Sequence, residues 1–375
     1  MRSTGLKPTS LEEKLSTFDP ERLLEEASTI PKAWYWDDEI YQRERKAVFL
    51  DSWQMVARTS QLQEPGSFVT LDIAGEPVIV TRDKNGSLNA FSNVCRHRAA
   101  RVATEAEGTA NVLRCHYHGW TYDLNGCLMA APEFMGVCNF QKEDNSLPAW
   151  SVETWRQFVF VRSPYGSEKF PSLAEFMAPV DQLNNDAGLE SMHFVARKEY
   201  IIGCNWKVFV DNYLDGGYHV NTIHPALGGV IDYSKYRTEL HPDSSVQISP
   251  LKQGEVSNVR SGDCAYYWWL FPNLMINIYE GVMDTNLVLP VGPDSCRVLF
   301  DFYFADTEGS KRKRFIEESI AVADRVQIED LSICEEVQKG LNSQSYDTGR
   351  FSVRREAGGY EFHRLLARRL IGKAL

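Results

Sequence analysis

No apolar run in this chain is long enough to cross a bilayer, so the sequence predicts no transmembrane helix and no membrane partner. It has no basic tract either. With 40 Lys and Arg against 51 Asp and Glu, and a net charge of −11, it is a poor match for nucleic acid or an anionic surface. No Cys-x-x-Cys pair occurs among the eight cysteines. Six of them, Cys127, Cys138, Cys204, Cys264, Cys296 and Cys334, read as isolated reduced thiols, which fits a cytosol-like compartment. Glu12, Glu13, Asp19 and Glu21 lie where a signal peptide would be apolar and a transit peptide poor in acids. The expected location is therefore cytoplasmic; a plastid stroma would need a transit peptide upstream of Met1. No internal repeat and no low-complexity segment is visible. What remains is ordinary globular material: 375 residues, 43% of them hydrophobic, enough for one large or two medium domains.

Against that background one stretch stands out. Cys95-Arg96-His97 is followed, after seventeen residues, by Cys115-His116-Tyr117-His118-Gly119-Trp120. Two thiolates and two imidazoles on two short loops can hold one compact metal unit. Two Cys on one iron and two His on the other is the ligand set of a Rieske [2Fe–2S] centre. The predicted ligands are Cys95, His97, Cys115 and His118, with His116 in the spacer. Zinc is a rival, but zinc sites of this composition usually pair Cys with Cys and His with His. Four unliganded core residues are the plainest alternative. Gly119 would let the backbone approach the cluster closely.

The flanking pattern is that of short strands. Ser67 to Asp72, Pro77 to Arg82, Leu88 to Phe91 and Trp150 to Arg162 are β-rich, with turns at Asp83–Ser87 and Asp123–Gly126. They predict a small antiparallel β domain with the ligand loops at its tip. Ser163 to Ser167 reads as a boundary. Residues 1–45 read as helical and peripheral, with a helix starting at Pro20 behind an Asp19 cap. Tyr41 to Phe49 continues in helical periodicity. Pro171 to Ala178 reads as a short helix and Ala196 to Cys204 as a strand. Asn205 to Tyr218 reads as a helix feeding His219. Tyr266 to Leu270, Leu274 to Tyr279, Asn286 to Leu289 and Val298 to Phe304 read as an antiparallel meander. Lys311 to Leu341 is one long helical pattern.

His219 and His224 form the second constellation. Five positions turn a regular helix roughly 140° past a full turn, so a helix must end or distort between them. Pro225 closes the segment. Two ordinary polar histidines are the bland alternative. Two His and one carboxylate with open positions make the facial triad of non-haem Fe(II) oxygenases. On the long helix, Val322, Val326, Ile333 and Val337 mark an apolar stripe, and Asp330 lies on it. A buried acid there needs a cation or a paired Arg. Glu329 points about 100° away and, with Glu335 and Glu336, is expected at the surface.

These residues resemble a family: the Rieske non-haem iron oxygenases, α-subunit type, over nearly the full length. The resemblance is carried by the two ligand loops and by Asn205-Trp206-Lys207, Asp211 to His219, Met283 to Leu287, Val326 to Asp330 and Cys334 to Leu341. These segments are closer to the choline-oxidising branch than to the ring-hydroxylating dioxygenases. The resemblance implies an α+β fold. An N-terminal helical segment (1–50) would pack on a helix-grip catalytic domain (166–375), and an antiparallel Rieske domain would occupy 51–165. It implies a mononuclear Fe(II) as second cofactor and a homotrimer in which electrons cross between subunits. Asp215 is implied as the carboxylate bridging a cluster His and an iron His across that interface. It stands four residues before His219 where most of the family has three, and a π-bulge at Gly216-Gly217 could absorb the extra residue.

The implied chemistry is monooxygenation with O2 and electrons from a small ferredoxin and its reductase. Acting on choline, it would give betaine aldehyde hydrate. Demethylation of another quaternary amine (betaine-, carnitine- or stachydrine-like) and hydroxylation of an aromatic substrate are the alternatives. A pure electron carrier would hold only the two irons of the cluster, and a zinc module would be colourless. For a quaternary amine, the expected cage draws on one alternating pair of Tyr266-Tyr267-Trp268-Trp269, with Tyr279 and Glu280 on the next strand. Sheet core is the competing role for that strand. Arg96, Arg98 and Arg101 flank the first ligand loop and are expected to dock an acidic ferredoxin.

Overall fold

The computed structural model describes residues 10–167, 170–224, 232–251 and 262–372. It divides into two compact units, Phe49–Met177 and Met1–Val48 with Ala178–Leu375.

The first unit is built on a seven-stranded antiparallel sheet. Its order is Gln54–Arg58, Phe158–Arg162, Ala149–Trp155, Leu88–Ser92, Glu76–Arg82, Ser67–Ile73 and Glu107–Thr109. The Asp83 carboxylate fixes one hairpin by accepting from the backbone N–H groups of Asn85 and Ser87. Phe158, Val159, Phe160 and Val161 are all buried, so this strand is covered on both faces. A three-stranded sheet, Leu113–Arg114, Thr121–Tyr122 and Leu128–Ala130, carries the second ligand loop.

The second unit is built on another seven-stranded antiparallel sheet. Its order is His193–Ile202, Ser295–Phe304, Val282–Gly292, Leu274–Tyr279, Cys264–Leu270, Ser244–Pro250 and Arg237–His241. The long helix Ser310–Leu341 packs Ile316 among Phe300, Phe302 and Phe304 of this sheet. Its buried face is not the expected stripe. Val322, Val326 and Ile333 are only half-buried and Val337 is 44% exposed, whereas Gln327, Cys334, Gln338 and Leu341 are buried. The face is read wrongly from hydrophobicity because polar side chains do structural work on it: Gln338 Oε1 accepts from the backbone N–H of Asn205 at 2.9 Å.

Two other expectations fail, and a third holds with different bounds. Residues 19–26 form turns rather than a helix. Asp19 accepts from Glu21 N–H in an Asx turn, a bond that competes with helix initiation. The nearby helix is Leu11–Leu15, with a capping box between Ser10 and Glu13. The N-terminal segment is not peripheral, since Ile30, Trp34 and Ile40 are buried. The helix expected at Pro171 to Ala178 runs from Leu173 to Asn184. A further helix, Ala357–Ile371, was not anticipated. It is largely buried, and its His363 Nδ1 accepts from Ile30 N–H.

Candidate metal centres and their cavity

The loops at Cys95 and Cys115 close in the same way. Ala99 N–H donates to Cys95 C=O and Cys95 N–H to Ala100 C=O; Gly119 N–H donates to Cys115 C=O and Cys115 N–H to Trp120 C=O. The fifth residue of each loop is left-handed, with φ 59° at Ala99 and 74° at Gly119. Alanine holds that conformation at a cost of roughly 1–2 kcal/mol, so the loop geometry is imposed by its surroundings. Cys95 and Cys115 are buried, and burial pushes the Cys115 thiol pKa up. The His97 and His118 rings lie 4.5 Å apart, centroid to centroid. His97 stacks on Trp120 at 5.1 Å, and its Nδ1 is buried with no hydrogen-bond partner among the described residues. Two buried thiols and two adjacent imidazoles, one with an orphaned buried nitrogen, make up the donor set that a [2Fe–2S] cluster with mixed ligands requires. Tyr122 was not anticipated. Its hydroxyl accepts from Arg96 N–H at 3.0 Å and lies 3.4 Å from Cys95 Sγ. His116 is exposed. Arg101 is held by both oxygens of Asp72, while Arg96 and Arg98 are exposed.

In the other unit the histidines follow the helix Trp206–Tyr213. Asn205 caps it by accepting from Lys207 N–H, and a buried Lys207–Glu44 ion pair of 2.6 Å anchors its first turn. Trp206 Nε1 donates to the other oxygen of Glu44, so both oxygens of this buried carboxylate are satisfied. The helix stops before His219 rather than between the two histidines. There is also no π-bulge at Gly216-Gly217. Both glycines are left-handed, at φ 68° and 70°, and turn the chain out of the helix. A Cβ on Gly216 would stand 2.0 Å from Arg355 O, so no other residue fits there. Asp215 closes this turn by accepting from the N–H groups of Tyr218 and His219. His219 heads the one-turn helix Val220–Ile223 and His224 follows it. Pro225 lies outside the described residues.

The structure brings His219, His224 and Asp330 together, with one ligand atom from each all within 4.8 Å of one another. Asp330 Oδ1 is 3.0 Å from His224 Nε2 and 3.6 Å from His219 Nε2. Asn212 Nδ2 donates to the same oxygen at 2.8 Å. Behind the histidines, His219 Nδ1 lies 2.5 Å from Asp215 and His224 Nδ1 lies 2.6 Å from Glu329. A carboxylate at Nδ1 keeps the proton there and leaves the Nε2 lone pair for a cation. Burial disfavours charged His224, but Asp330 and Glu329 outweigh it and raise its pKa. Glu329 is therefore no mere surface acid. Its helical neighbour faces the cluster, and its own longer side chain reaches round to the second histidine. Glu335 accepts from Gly203 N–H, and Glu336 pairs with Lys339.

Beside this triad opens a cavity of about 830 Å³, its mouth included. Its walls carry Phe209, Tyr213, Tyr236, Tyr267, Tyr279 and Phe300. Gln247, Tyr267, Asn277 and Asp284 also line it, and they lie directly opposite one another on four adjacent strands. The expected cage is corrected here. Trp268 and Trp269 are fully buried and line no part of the cavity. Trp268 stacks near His241 and donates to Asn184; Trp269 packs edge-on to Phe362. Tyr266 and Glu280 line a separate cavity.

Two family models match the chain: the Rieske [2Fe-2S] domain over residues 52–141, and the ring hydroxylating alpha subunit (catalytic domain) over residues 189–372. Choline monooxygenase, chloroplastic, of Arabidopsis thaliana is 40% identical, over 94% of this chain and 85% of that protein. The chain belongs to the Rieske non-haem iron oxygenases. Another member, the carnitine monooxygenase oxygenase subunit of Escherichia coli (strain K12), is 31% identical over 92% of this chain and 94% of its own. Among solved Rieske oxygenases, a quaternary ammonium monooxygenase in complex with its substrate L-carnitine matches with a TM-score of 0.78 and 29% identity. That match covers 96% of this chain and 98% of the other. A structure of a quaternary ammonium Rieske monooxygenase described for carnitine oxidation and inter-subunit electron transfer matches with a TM-score of 0.82 and 28% identity, again over 96% and 98%. Like these relatives, this Rieske oxygenase combines a [2Fe–2S] domain with the catalytic domain of mononuclear-iron oxygenases. No helix among its described residues is long and apolar enough to cross a membrane.

Proposed function

We propose that this protein is a ferredoxin-dependent monooxygenase that oxidises choline to betaine aldehyde hydrate. One observation carries the reading: a two-histidine, one-carboxylate cluster opens into a cavity walled by tyrosines and a buried carboxylate. A trimethylammonium group donates no hydrogen bond, so aromatic faces and nearby negative charge are what can recognise it. Tyr267 and Tyr279 stand edge to face, 5.9 Å apart, on this wall. The choline and carnitine monooxygenases among the relatives support the same substrate class.

The residues present fit both cofactors. Cys95, His97, Cys115 and His118 are the proposed cluster ligands, supported by the buried thiols and the orphaned His97 Nδ1. His219, His224 and Asp330 are the proposed ligands of ferrous iron. Bound there, the cluster supplies single electrons and the iron supplies O2 activation. The chain's own part is orientation. Asp215 and Glu329 hold the two Nδ1 protons, Asn212 fixes one oxygen of Asp330, and the tyrosine wall limits water beside the substrate carbon. Asp215 is also the carboxylate proposed to link the two centres across subunits of a homotrimer. Arg96 and Arg98, rather than Arg101, are proposed to meet an acidic ferredoxin. The proposed domains are 1–50 as an N-terminal segment, 51–165 as the Rieske domain and 166–375 as the catalytic domain. A cytoplasmic site is supported by the six cysteines outside the proposed cluster, none of which is in a disulfide.

The test is a single turnover: protein reduced without oxygen, mixed with a panel of amines, then exposed to O2, with products read by mass. Betaine aldehyde from choline is the expected product. Formaldehyde with a demethylated amine would move the reaction to an N-methyl group. Turnover of flat aromatic acids alone would overturn the quaternary-amine reading.

A further inference from the structure

The sheet wall that carries Tyr267 also carries a carboxylate. Asp284 is buried and lines the same cavity as His219, His224 and Asp330. It stands at the end of the ladder formed with Gln247, Tyr267 and Asn277. Side-chain amides aim its carboxylate: Asn277 Nδ2 donates to Oδ1 at 2.6 Å, and Asn286 Nδ2 lies 3.5 Å from the same oxygen. Asn277 is itself fixed, because the Tyr213 hydroxyl donates to its Oδ1 at 2.7 Å. Tyr213 in turn is tied down by Gln247, whose Nε2 donates to the Tyr213 carbonyl, and Gln247 Oε1 accepts from the Tyr236 hydroxyl. The chain Tyr236–Gln247–Tyr213–Asn277–Asp284 therefore presents one carboxylate in a fixed orientation on an otherwise tyrosine-lined wall. Among the described residues lining the cavity, none is Lys or Arg.

Resting on the quaternary-amine reading, we infer that Asp284 is the counter-charge for the substrate ammonium, and that the cavity selects cations without a carboxylate over zwitterionic amines. A fixed carboxylate in a low-dielectric wall attracts an ammonium far more than it would in water. The same wall repels a substrate carboxylate, and its described residues offer that group no Lys or Arg, which is a discriminating element as well as an attractive one. The amides of Asn277 and Asn286 that orient Asp284 carry no charge of their own. Choline fits this selection; L-carnitine and glycine betaine carry the disfavoured group.

The experiment measures binding by calorimetry to the resting, iron-loaded enzyme. The ligands are choline, its uncharged carbon isostere 3,3-dimethylbutan-1-ol, and L-carnitine. Wild type should bind choline most tightly. In Asp284→Asn the dissociation constant for choline should rise by roughly 30-fold, while that for the isostere hardly changes. The choline-over-isostere preference should thus collapse, and Asp284→Glu should restore part of it. A change in packing alone would weaken both ligands together. An unchanged choline-to-isostere ratio in Asp284→Asn would overturn the inference, because the aromatic faces alone would then account for cation binding. Wild type that binds L-carnitine as tightly as choline would also overturn it and leave the quaternary-amine reading standing. No binding of either amine to wild type would remove both.

Discussion

The two candidate iron sites are held in different ways. Around Cys95 and Cys115 the geometry belongs to the backbone. Each loop is closed by the same pair of main-chain hydrogen bonds and by a left-handed fifth residue. Around His219 and His224 the geometry belongs to side chains remote in sequence. Glu329 and Asp330 reach in from the long helix, 105 and 106 positions beyond His224, and Asp215 supports His219 from the preceding turn. The first kind of site tolerates loss of a neighbouring side chain but not of backbone shape. The second depends on carboxylates that are not themselves ligands.

The largest expected effect concerns the first site. His97→Cys adds a thiolate and should lower the cluster potential by on the order of hundreds of millivolts, toward the ferredoxin range. Occupancy of the second site should not change. Redox titration with parallel iron analysis reads both, and an unmoved potential would strike His97 from the ligand set.

The next test separates core from wall in the second unit. Trp268→Ala empties a fully buried site and should cost about 3–5 kcal/mol of stability, read as a fall in denaturant midpoint. Tyr267→Ala should cost less stability but raise KM for choline several-fold, as expected from loss of a cation–π contact worth about 1–2 kcal/mol. Equal destabilisation with unchanged KM would remove Tyr267 from the substrate wall.

Supporting carboxylates come third. Glu329→Gln should weaken iron retention at His224 by about 10–100-fold, as loss of an outer hydrogen-bond partner does elsewhere. Asp215→Asn should weaken it similarly and slow turnover further, since Asp215 is also the proposed link between subunits. Identical rates in the two variants, at matched iron content, would leave Asp215 with a local role only.

The smallest effect is at the surface. If Arg96 and Arg98 receive an acidic ferredoxin, the rate with ferredoxin should fall as salt shortens the screening length toward about 3 Å at 1 M. A rate indifferent to salt would argue against docking by charge.

The contrast also explains what the sequence could reveal. The first site is written locally, as Cys-x-His and Cys-x-x-His within 24 residues, Cys95 to His118, so spacing alone points to a cluster. The strands flanking it are legible for the same reason, through alternation and an Asn-Gly turn. Tyr122, two residues beyond the motif, could have been found as the next inward-facing aromatic. The second site is legible only in part. Asp330 emerges from helical phase, although the stripe used to find it is not the buried face. Glu329 is missed because helical phase fixes the Cα direction and not the reach of a long side chain. The tryptophans of the Cys264–Leu270 strand mislead because aromatic content cannot separate a cavity wall from the core beneath it. The end of the helix at Tyr213 is missed because hydrophobic periodicity continues past it; the signal was Gly216-Gly217.

The central claim is that one chain holds two iron centres by these two separate means. Iron and acid-labile sulfide per chain test it most directly, measured on wild type and on His219→Ala. The account predicts about three irons and two sulfides in wild type. In the variant it predicts about two irons, with an unchanged cluster spectrum and no turnover. Two irons in wild type, or loss of the cluster signal together with His219, would contradict it.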